Sequence, residues 1–219
     1  MSAPKTRVFI VDDHPLVRES LAGLIDQQPD LSVCGESDRS AAALAAIGTA
    51  QPDVTIVDLS LADGSGLDLI RDLRQQYPRV AVLVLSMHDE SLYAERALRA
   101  GARGYLMKRA ASRDVVVAIR RVREGRIAVS PELAEALAAK LVSGPPEGTD
   151  PVSTLSDREL DVFRLVGQGR ETRQIADALH LSAKTVQTYC ARIKDKLGLN
   201  TANELLREAV RWLAERDRA

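Results

Sequence analysis

Val80-Ala-Val-Leu-Val-Leu85 is six apolar residues in a row, closed by Ser86. A strand of that length with no polar alternation has both faces covered, which is the habit of parallel sheets. Working outward, similar short runs stand at residues 8–11, 31–33, 54–57 and 104–107. Between them the apolar residues fall at helical spacing: Leu16, Leu21, Leu24 and Ile25; then residues 42–47; then Leu67, Ile70 and Leu73; then Leu92, Ala97 and Leu98; then Val115, Val116, Ile119 and Val122. Strand followed by helix, five times, predicts an α/β domain with a doubly wound five-stranded parallel sheet and right-handed crossovers. The breakers Pro52, Pro78 and Gly101 fall at helix ends or in loops, as that reading requires.

Past this domain the pattern changes. Pro131 opens a further helical stretch to about residue 142, and Pro suits the first turn because its missing N–H has no partner to lose there. Residues 143–151 then hold two Gly and three Pro with no apolar period, which reads as an inter-domain linker. Beyond it the strand signal vanishes. Ser156-Asp-Arg-Glu159 and Thr201-Ala-Asn-Glu204 are capping boxes that open two helices, and helical segments at about 171–179 and 182–197 lie between them. The expected organisation is an α/β domain over 1–128, a linker helix and Pro/Gly-rich linker over 129–151, and a small all-α four-helix domain over 152–219.

Composition removes several classes of function. With 45% hydrophobic and 28% charged residues the chain is globular rather than disordered. No apolar run approaches the roughly 18 residues that span a bilayer. The short N-terminal run meets Asp12 and Asp13 at once, unlike a signal peptide, so a cytoplasmic location is expected. Cys34 and Cys190 lack the spacing of a disulfide framework or zinc site and read as small buried hydrophobes. The net charge of −1 is a cancellation: residues 152–219 carry twelve basic and ten acidic side chains, a net +2, which leaves −3 on the remainder. Within 182–197, Lys184, Arg192, Lys194 and Lys196 outnumber Asp195.

In doubly wound sheets ligands bind beyond the carboxyl ends of the strands. With strand order 2-1-3-4-5, that edge collects Asp12 and Asp13 from the first strand, Asp58 from the third, Ser86 from the fourth and Lys108 from the fifth. Three carboxylates repel one another unless a cation sits among them, and Mg²⁺ takes carboxylate oxygens while sharing phosphate. A carboxylate also acts as a nucleophile toward phosphorus. Asp58, alone on the central strand, is the nucleophile candidate; Asp13 and Asp58 would hold Mg²⁺ directly and Asp12 through water. Lys108 and the Ser86 hydroxyl would contact the phosphoryl oxygens.

Val11-Asp-Asp-His14, Asp58, Ser86 and Gly104-Tyr-Leu-Met-Lys108 resemble the receiver domain of two-component response regulators, a flavodoxin-like fold, over residues 5–125. The resemblance implies that Asp58 accepts a phosphoryl group from a sensor histidine kinase. It also implies a metal set of Asp12, Asp13, Asp58 and the Ser60 backbone carbonyl. Ser86 and Tyr105 would be the switch pair, the hydroxyl moving toward the phosphoryl group and the ring turning inward behind it. Gly66 stands where such domains carry a loop glycine, and Ser60 and His88 stand where side chains tune acyl phosphate hydrolysis. Leu61-Ala62 replaces the usual Met-Pro, which bears on loop stiffness, and Arg109 replaces the proline seen after the lysine of many receivers.

Residues 171–197 read as helix-turn-helix, with Ala176 at the close crossing and Ile175, Leu179, Leu181, Val186 and Ile193 as buried faces. Val186, Tyr189, Cys190, Ile193 and Leu197 share one side of the second helix. Its other side presents Lys184, Gln187, Thr188, Ala191 and Lys194 or Asp195, a front suited to the major groove of double-stranded DNA. Gln187 fits an adenine edge and the Thr188 methyl a thymine, while Lys184, Arg192 and Lys194 fit phosphates; Thr185 belongs to the same contact set. The stretch from Leu155 to Gly198 resembles the LuxR/NarL-type DNA-binding domain, with Tyr189 in place of a common histidine. His180, at the turn, tolerates a positive φ better than a branched residue. Together the two halves resemble a NarL/FixJ-type response regulator: a phosphorylation-gated transcription factor, not an enzyme. Phosphorylation would favour a homodimer or an opened two-domain state that frees residues 182–197, a dimer being expected because one short helix makes too few contacts alone. The rival reading, a Mg²⁺-dependent phosphatase with an aspartyl nucleophile, lacks a separate general acid beside Asp58 and a substrate-cap insertion. Two further rivals are a helical protein-interaction domain in the second half and a receiver that works without phosphate.

Overall fold

Ten helices and seven strands are formed by the described residues, 4–143, 151–179 and 181–216 of a computed structural model. Residues 144–150 of the expected linker and His180 of the expected turn lie outside the described residues. The chain divides into two compact units, residues 1–144 and 145–219.

In the first unit β1 (Thr6–Val11), β2 (Leu31–Ser37), β3 (Val54–Val57), β6 (Ala81–Ser86) and β7 (Gly104–Met107) form one all-parallel sheet in the order β2-β1-β3-β6-β7. The supposed order 2-1-3-4-5 is the one the sheet adopts. Alternating residues supply its two faces. Val8, Ile10, Ile56, Leu83 and Leu85 pack with Leu21 and Ile25 of α1 (Pro15–Asp26) and with Val115, Ile119 and Val122 of α5 (Ser112–Arg123). The other face takes α2 (Ser40–Ala50), α3 (Gly66–Gln76) and α4 (Glu90–Ala100). α6 (Pro131–Ser143) belongs to this unit by contact: Leu133 is buried, and the Ser130 amide donates to Glu90 Oε1 at 3.1 Å.

Sequence periodicity missed a hairpin. β4 (Ser60–Leu61) pairs antiparallel with β5 (Gly64–Ser65), two residues each and too short to show any period. It occupies the place where the sequence has Leu61-Ala62 instead of Met-Pro, and the buried Leu61 anchors it. Asp63 at its tip accepts from the Ser40 amide at 2.9 Å, the Ser40 hydroxyl at 3.0 Å and the Ala41 amide at 3.3 Å. It thereby caps α2, whose own N-cap Arg39 makes no side-chain cap. Those bonds hold the Asp63 carboxyl below its ordinary pKa despite the opposing effect of burial.

The second unit begins with a 3-10 turn, Pro151–Thr154, followed by α7 (Asp157–Gly167), α8 (Thr172–Ala178), α9 (Ala183–Leu197) and α10 (Ala202–Arg216). Both capping boxes form. Ser156 and Glu159 bond reciprocally at the start of α7. At α10 the Glu204 amide donates to Thr201 Oγ1 at 3.1 Å, and the Asn200 amide to Glu204 Oε2 at 2.7 Å. Phe163 meets Trp212 edge-to-face at 5.7 Å, and Gly167 lets α7 approach the Ala209 carbonyl of α10 more closely than a side chain would permit. Ile175, Ala176, Val186 and Ile193 are buried as expected; Leu179 and Leu181 are half-buried. Cys34 and Cys190 are free and half-buried rather than fully buried, one on an edge strand and one beside the exposed face of α9. Burial raises both thiol pKa values, which keeps them protonated. Among the described residues no helix is long and apolar enough to cross a membrane.

Candidate functional site

The parallel ladder runs one residue past β3 and β7. The Asp58 amide donates to the Val11 carbonyl at 2.9 Å, and the Lys108 amide to the Ser86 carbonyl at 2.8 Å. Asp12, Asp58, Ser86 and Lys108 therefore stand at the same edge of four adjacent strands. Neighbouring strands are about 4.8 Å apart, so β7 and β1 are separated by about 14 Å, and only a long side chain bridges that gap. Lys108 does so. Its Nζ lies 2.7 Å from Asp58 Oδ2 and 2.7 Å from Asp12 Oδ2, with its side chain only 7% exposed. Burial opposes the ammonium charge, but the two carboxylates outweigh it and hold the Lys108 pKa above its ordinary value.

Asp58 is 2% exposed. Burial pushes its carboxyl above the usual carboxylate range, with Lys108 acting in the opposite sense. One oxygen belongs to Lys108; the other, Oδ1, is buried with no hydrogen-bond partner among the described residues. Such an oxygen is costly to leave bare and suits a cation. Asp12, Asp13, His14 and Asp58 each offer one ligand atom, all within 4.8 Å of one another. The donor set fits a divalent metal ion. Arg18, one turn into α1, donates to the Asp12 carbonyl at 2.6 Å and approaches Glu36 at 3.6 Å, which fixes the end of β1.

Ser86 is fully buried, and its Oγ accepts from the His88 amide at 3.3 Å. Tyr105 is also fully buried, its hydroxyl donating to the His88 carbonyl at 2.8 Å. Burial raises the phenol pKa well above its ordinary value. The family resemblance implies a ring that turns inward on phosphorylation; here it already occupies the interior. His88, at the position expected to tune hydrolysis, joins several parts: its Nε2 meets Ser60 Oγ at 2.8 Å and its ring packs on Tyr93 at 4.5 Å.

Gly66 sets the approach of α3 to this loop. A Cβ there would lie 2.1 Å from the Asp58 carbonyl oxygen and 2.7 Å from Leu59 Cα, both backbone atoms that have no rotamer to yield. Gly66→Ala is expected to destabilise the first unit by about 1–3 kcal/mol, the usual range for overpacking. Calorimetry of the full chain checks this, and an unchanged melting temperature would show that the loop absorbs the methyl.

On α9, Lys184, Gln187, Thr188, Ala191 and Arg192 are exposed, and fifteen residues at about 1.5 Å each make the helix roughly 22 Å long. The Thr188 hydroxyl donates back to the Lys184 carbonyl at 3.0 Å, which leaves its methyl facing outward. Thr185 and Lys194 are half-buried. Thr185 is engaged by the helix cap, its amide donating to Ser182 Oγ at 3.0 Å and its hydroxyl meeting that oxygen at 2.8 Å. Lys196 turns the other way, to Glu159 Oε2 at 2.6 Å and the Thr154 carbonyl at 3.3 Å, tying α9 to α7.

That tie carries a pH signature. Burial raises the Glu159 pKa, but Lys196 and the Ser156 amide outweigh it and leave the folded value lowered from 4.5. A depressed carboxylate contributes stability above its unfolded pKa and loses it as pH falls through the folded one. Melting of the second unit is therefore expected to decline below about pH 4.5. Glu159→Gln should flatten that acid limb; equal acid sensitivity in both proteins would refute the assignment.

Two families match the chain. The response regulator receiver domain family covers residues 8–120, and the family of bacterial regulatory proteins, luxR family, covers residues 153–209. The chain belongs to the two-component response regulators of the NarL/FixJ type: a receiver joined to a LuxR-type helix-turn-helix domain, hence a DNA-binding transcription regulator rather than an enzyme. It is 38% identical over 193 residues to the DNA-binding transcriptional activator DevR/DosR of Mycobacterium tuberculosis, covering 88% of each chain. To the oxygen regulatory protein NreC of Staphylococcus aureus it is 33% identical over 210 residues, 94% of this chain and 97% of that one. A solved structure of RcsB from Salmonella enterica serovar Typhimurium, bound to promoter P1flhDC in the presence of phosphomimetic BeF3-, is similar at a TM-score of 0.60 and 26% identity, covering 94% of this chain and 98% of that chain.

Proposed function

We propose that Asp58 is the phosphoacceptor, and that its phosphorylation by a sensor histidine kinase controls DNA binding by the second unit. The observation that carries this is the divided environment of its carboxyl group: one oxygen faces Lys108 and the other, beside Asp12 and Asp13, is buried with no hydrogen-bond partner among the described residues. In the transfer, an Asp58 oxygen forms the P–O bond as the P–N bond of the kinase phosphohistidine breaks, its electron pair leaving with the imidazole. Asp12, Asp13, Asp58 and the Ser60 carbonyl would hold Mg²⁺, which supplies charge neutralisation for the incoming phosphoryl oxygens. Lys108 and the Ser86 hydroxyl take phosphoryl oxygens. For Ser86 to do so it must leave the His88 amide, so in this chain the switch pair Ser86 and Tyr105 acts through the β6–α4 segment, with Tyr105 as an anchor already in place.

The functional boundaries are then a receiver over 1–128, a linker over 129–151 and the DNA-binding domain over 152–219. Lys184, Gln187, Thr188, Ala191 and Arg192 form the face of α9 that enters the major groove, with Lys194 and Thr185 at its margins. One helix of this length reads few base pairs, which supports a homodimer on two half-sites after phosphorylation. DNA as the target supports a cytoplasmic location. The structure of two RcsB dimers bound to two parallel DNAs is a precedent in a similar protein, at 26% identity and a TM-score of 0.58.

The test is labelling with acetyl phosphate and Mg²⁺ followed by peptide mapping. One acid-labile phosphoryl group, on Asp58, is expected; label on another residue would overturn the reading.

A further inference from the structure

His14 adds an imidazole nitrogen to the acidic cluster. It is the N-cap residue of α1, and Pro15 follows at the first helical position, yet its side chain makes no capping bond. The imidazole instead turns back over the end of β1. Its Nδ1 lies 2.7 Å from Asp13 Oδ1 and 3.2 Å from Asp12 Oδ1, and its own amide donates to Asp12 Oδ1 at 2.9 Å. The side chain is 60% exposed, so neighbouring packing leaves it free to adjust.

We infer that His14 is a nitrogen ligand of the receiver's metal site, and that it shifts the site's preference from Mg²⁺ toward divalent ions that favour imidazole. This rests on the proposed metal site and extends it. The second, independent sign of a ligand there is Asp58 Oδ1, buried and without a hydrogen-bond partner among the described residues. Spacing is also suitable. The four candidate ligand atoms lie within 4.8 Å of one another, and two ligands across a metal ion stand about 4.2 Å apart at bond lengths near 2.1 Å. Shifts of a few tenths of an ångström close the difference. With its proton on Nε2, the imidazole presents the Nδ1 lone pair to a cation held between the carboxylates. Carboxylate and carbonyl oxygen suit Mg²⁺, whereas imidazole suits Ni²⁺ and Zn²⁺, and Ni²⁺ stands high in the general affinity order. A site with one nitrogen therefore gains most for Ni²⁺ and least for Mg²⁺.

The experiment is calorimetric titration of the untagged full chain with Ni²⁺ and, separately, with Mg²⁺, in the wild type, His14→Asn and Asp58→Asn. Asn remains a good N-cap, so the fold of α1 is retained. His14→Asn should weaken Ni²⁺ binding at least tenfold and change Mg²⁺ binding less than threefold. Pulsed electron paramagnetic resonance of the Mn²⁺-loaded wild type should show coupling to a nitrogen nucleus that His14→Asn abolishes. Ni²⁺ affinity indifferent to His14, with Mg²⁺ binding still dependent on Asp58, would overturn the inference alone. Loss of Asp58 dependence for both ions would overturn the metal site as well.

Discussion

Asp58→Asn is expected to abolish phosphoryl labelling and, with it, every donor-dependent change in DNA affinity. The substitution preserves shape, so the buried site keeps its packing, and Lys108 retains Asp12 as a partner at 2.7 Å. What is lost is the nucleophile: an amide oxygen does not displace imidazole from phosphorus. Coupling between two sites is commonly 1–3 kcal/mol, or about 5–150-fold in affinity. Fluorescence anisotropy with promoter DNA should therefore give a ratio in that range on adding acetyl phosphate to the wild type, and a ratio of one for the variant. Basal binding should be equal in the two proteins, since without a donor neither carries a phosphoryl group. A variant that still responded to donor would end the switch account.

The second large effect separates position from specificity on α9. Lys184→Ala should weaken binding to all DNA sequences to a similar extent and reduce the slope of log affinity against log salt by about one, because a phosphate contact releases counterions. Gln187→Ala should leave the salt slope unchanged and cost about 1–3 kcal/mol at the preferred site alone, as much as about 100-fold. Binding titrations at several salt concentrations, on specific and random duplexes, distinguish the two. If both variants behaved alike, α9 would not be reading bases through this face.

Legibility in the sequence follows the range of the interaction. The succession of strands and helices, both capping boxes and the apolar back of α9 depend on residues within a turn or two, or on an alternation repeated along the chain. All three are legible in the sequence. The β4–β5 hairpin is not, since four residues show no period, and the Asp63 cap on α2 joins residues 23 positions apart with no local motif. Thr185 falls on the front of α9 by spacing alone, which ignores that its hydroxyl is engaged by Ser182. Arg18 carries only a weak signal, a basic residue one turn after the paired acids.

The sequence by itself determined which chemical groups this protein places at the edge of its sheet: each lies at the end of a strand whose hydrophobic run can be counted. Tertiary structure alone decided how those groups meet. Lys108 reaches Asp58 across 50 residues and Asp12 across nearly a hundred because parallel crossovers align the carboxyl ends of their strands in one sheet, within the span of a lysine side chain. The same packing leaves one Asp58 oxygen without a hydrogen bond among the described residues, turns His14 back over the acids and seats Tyr105 inside. Periodicity and capping are nearest-neighbour properties and survive in one dimension. Convergence of side chains depends on strand order, register and the length of each side chain, and those act together only in the folded chain.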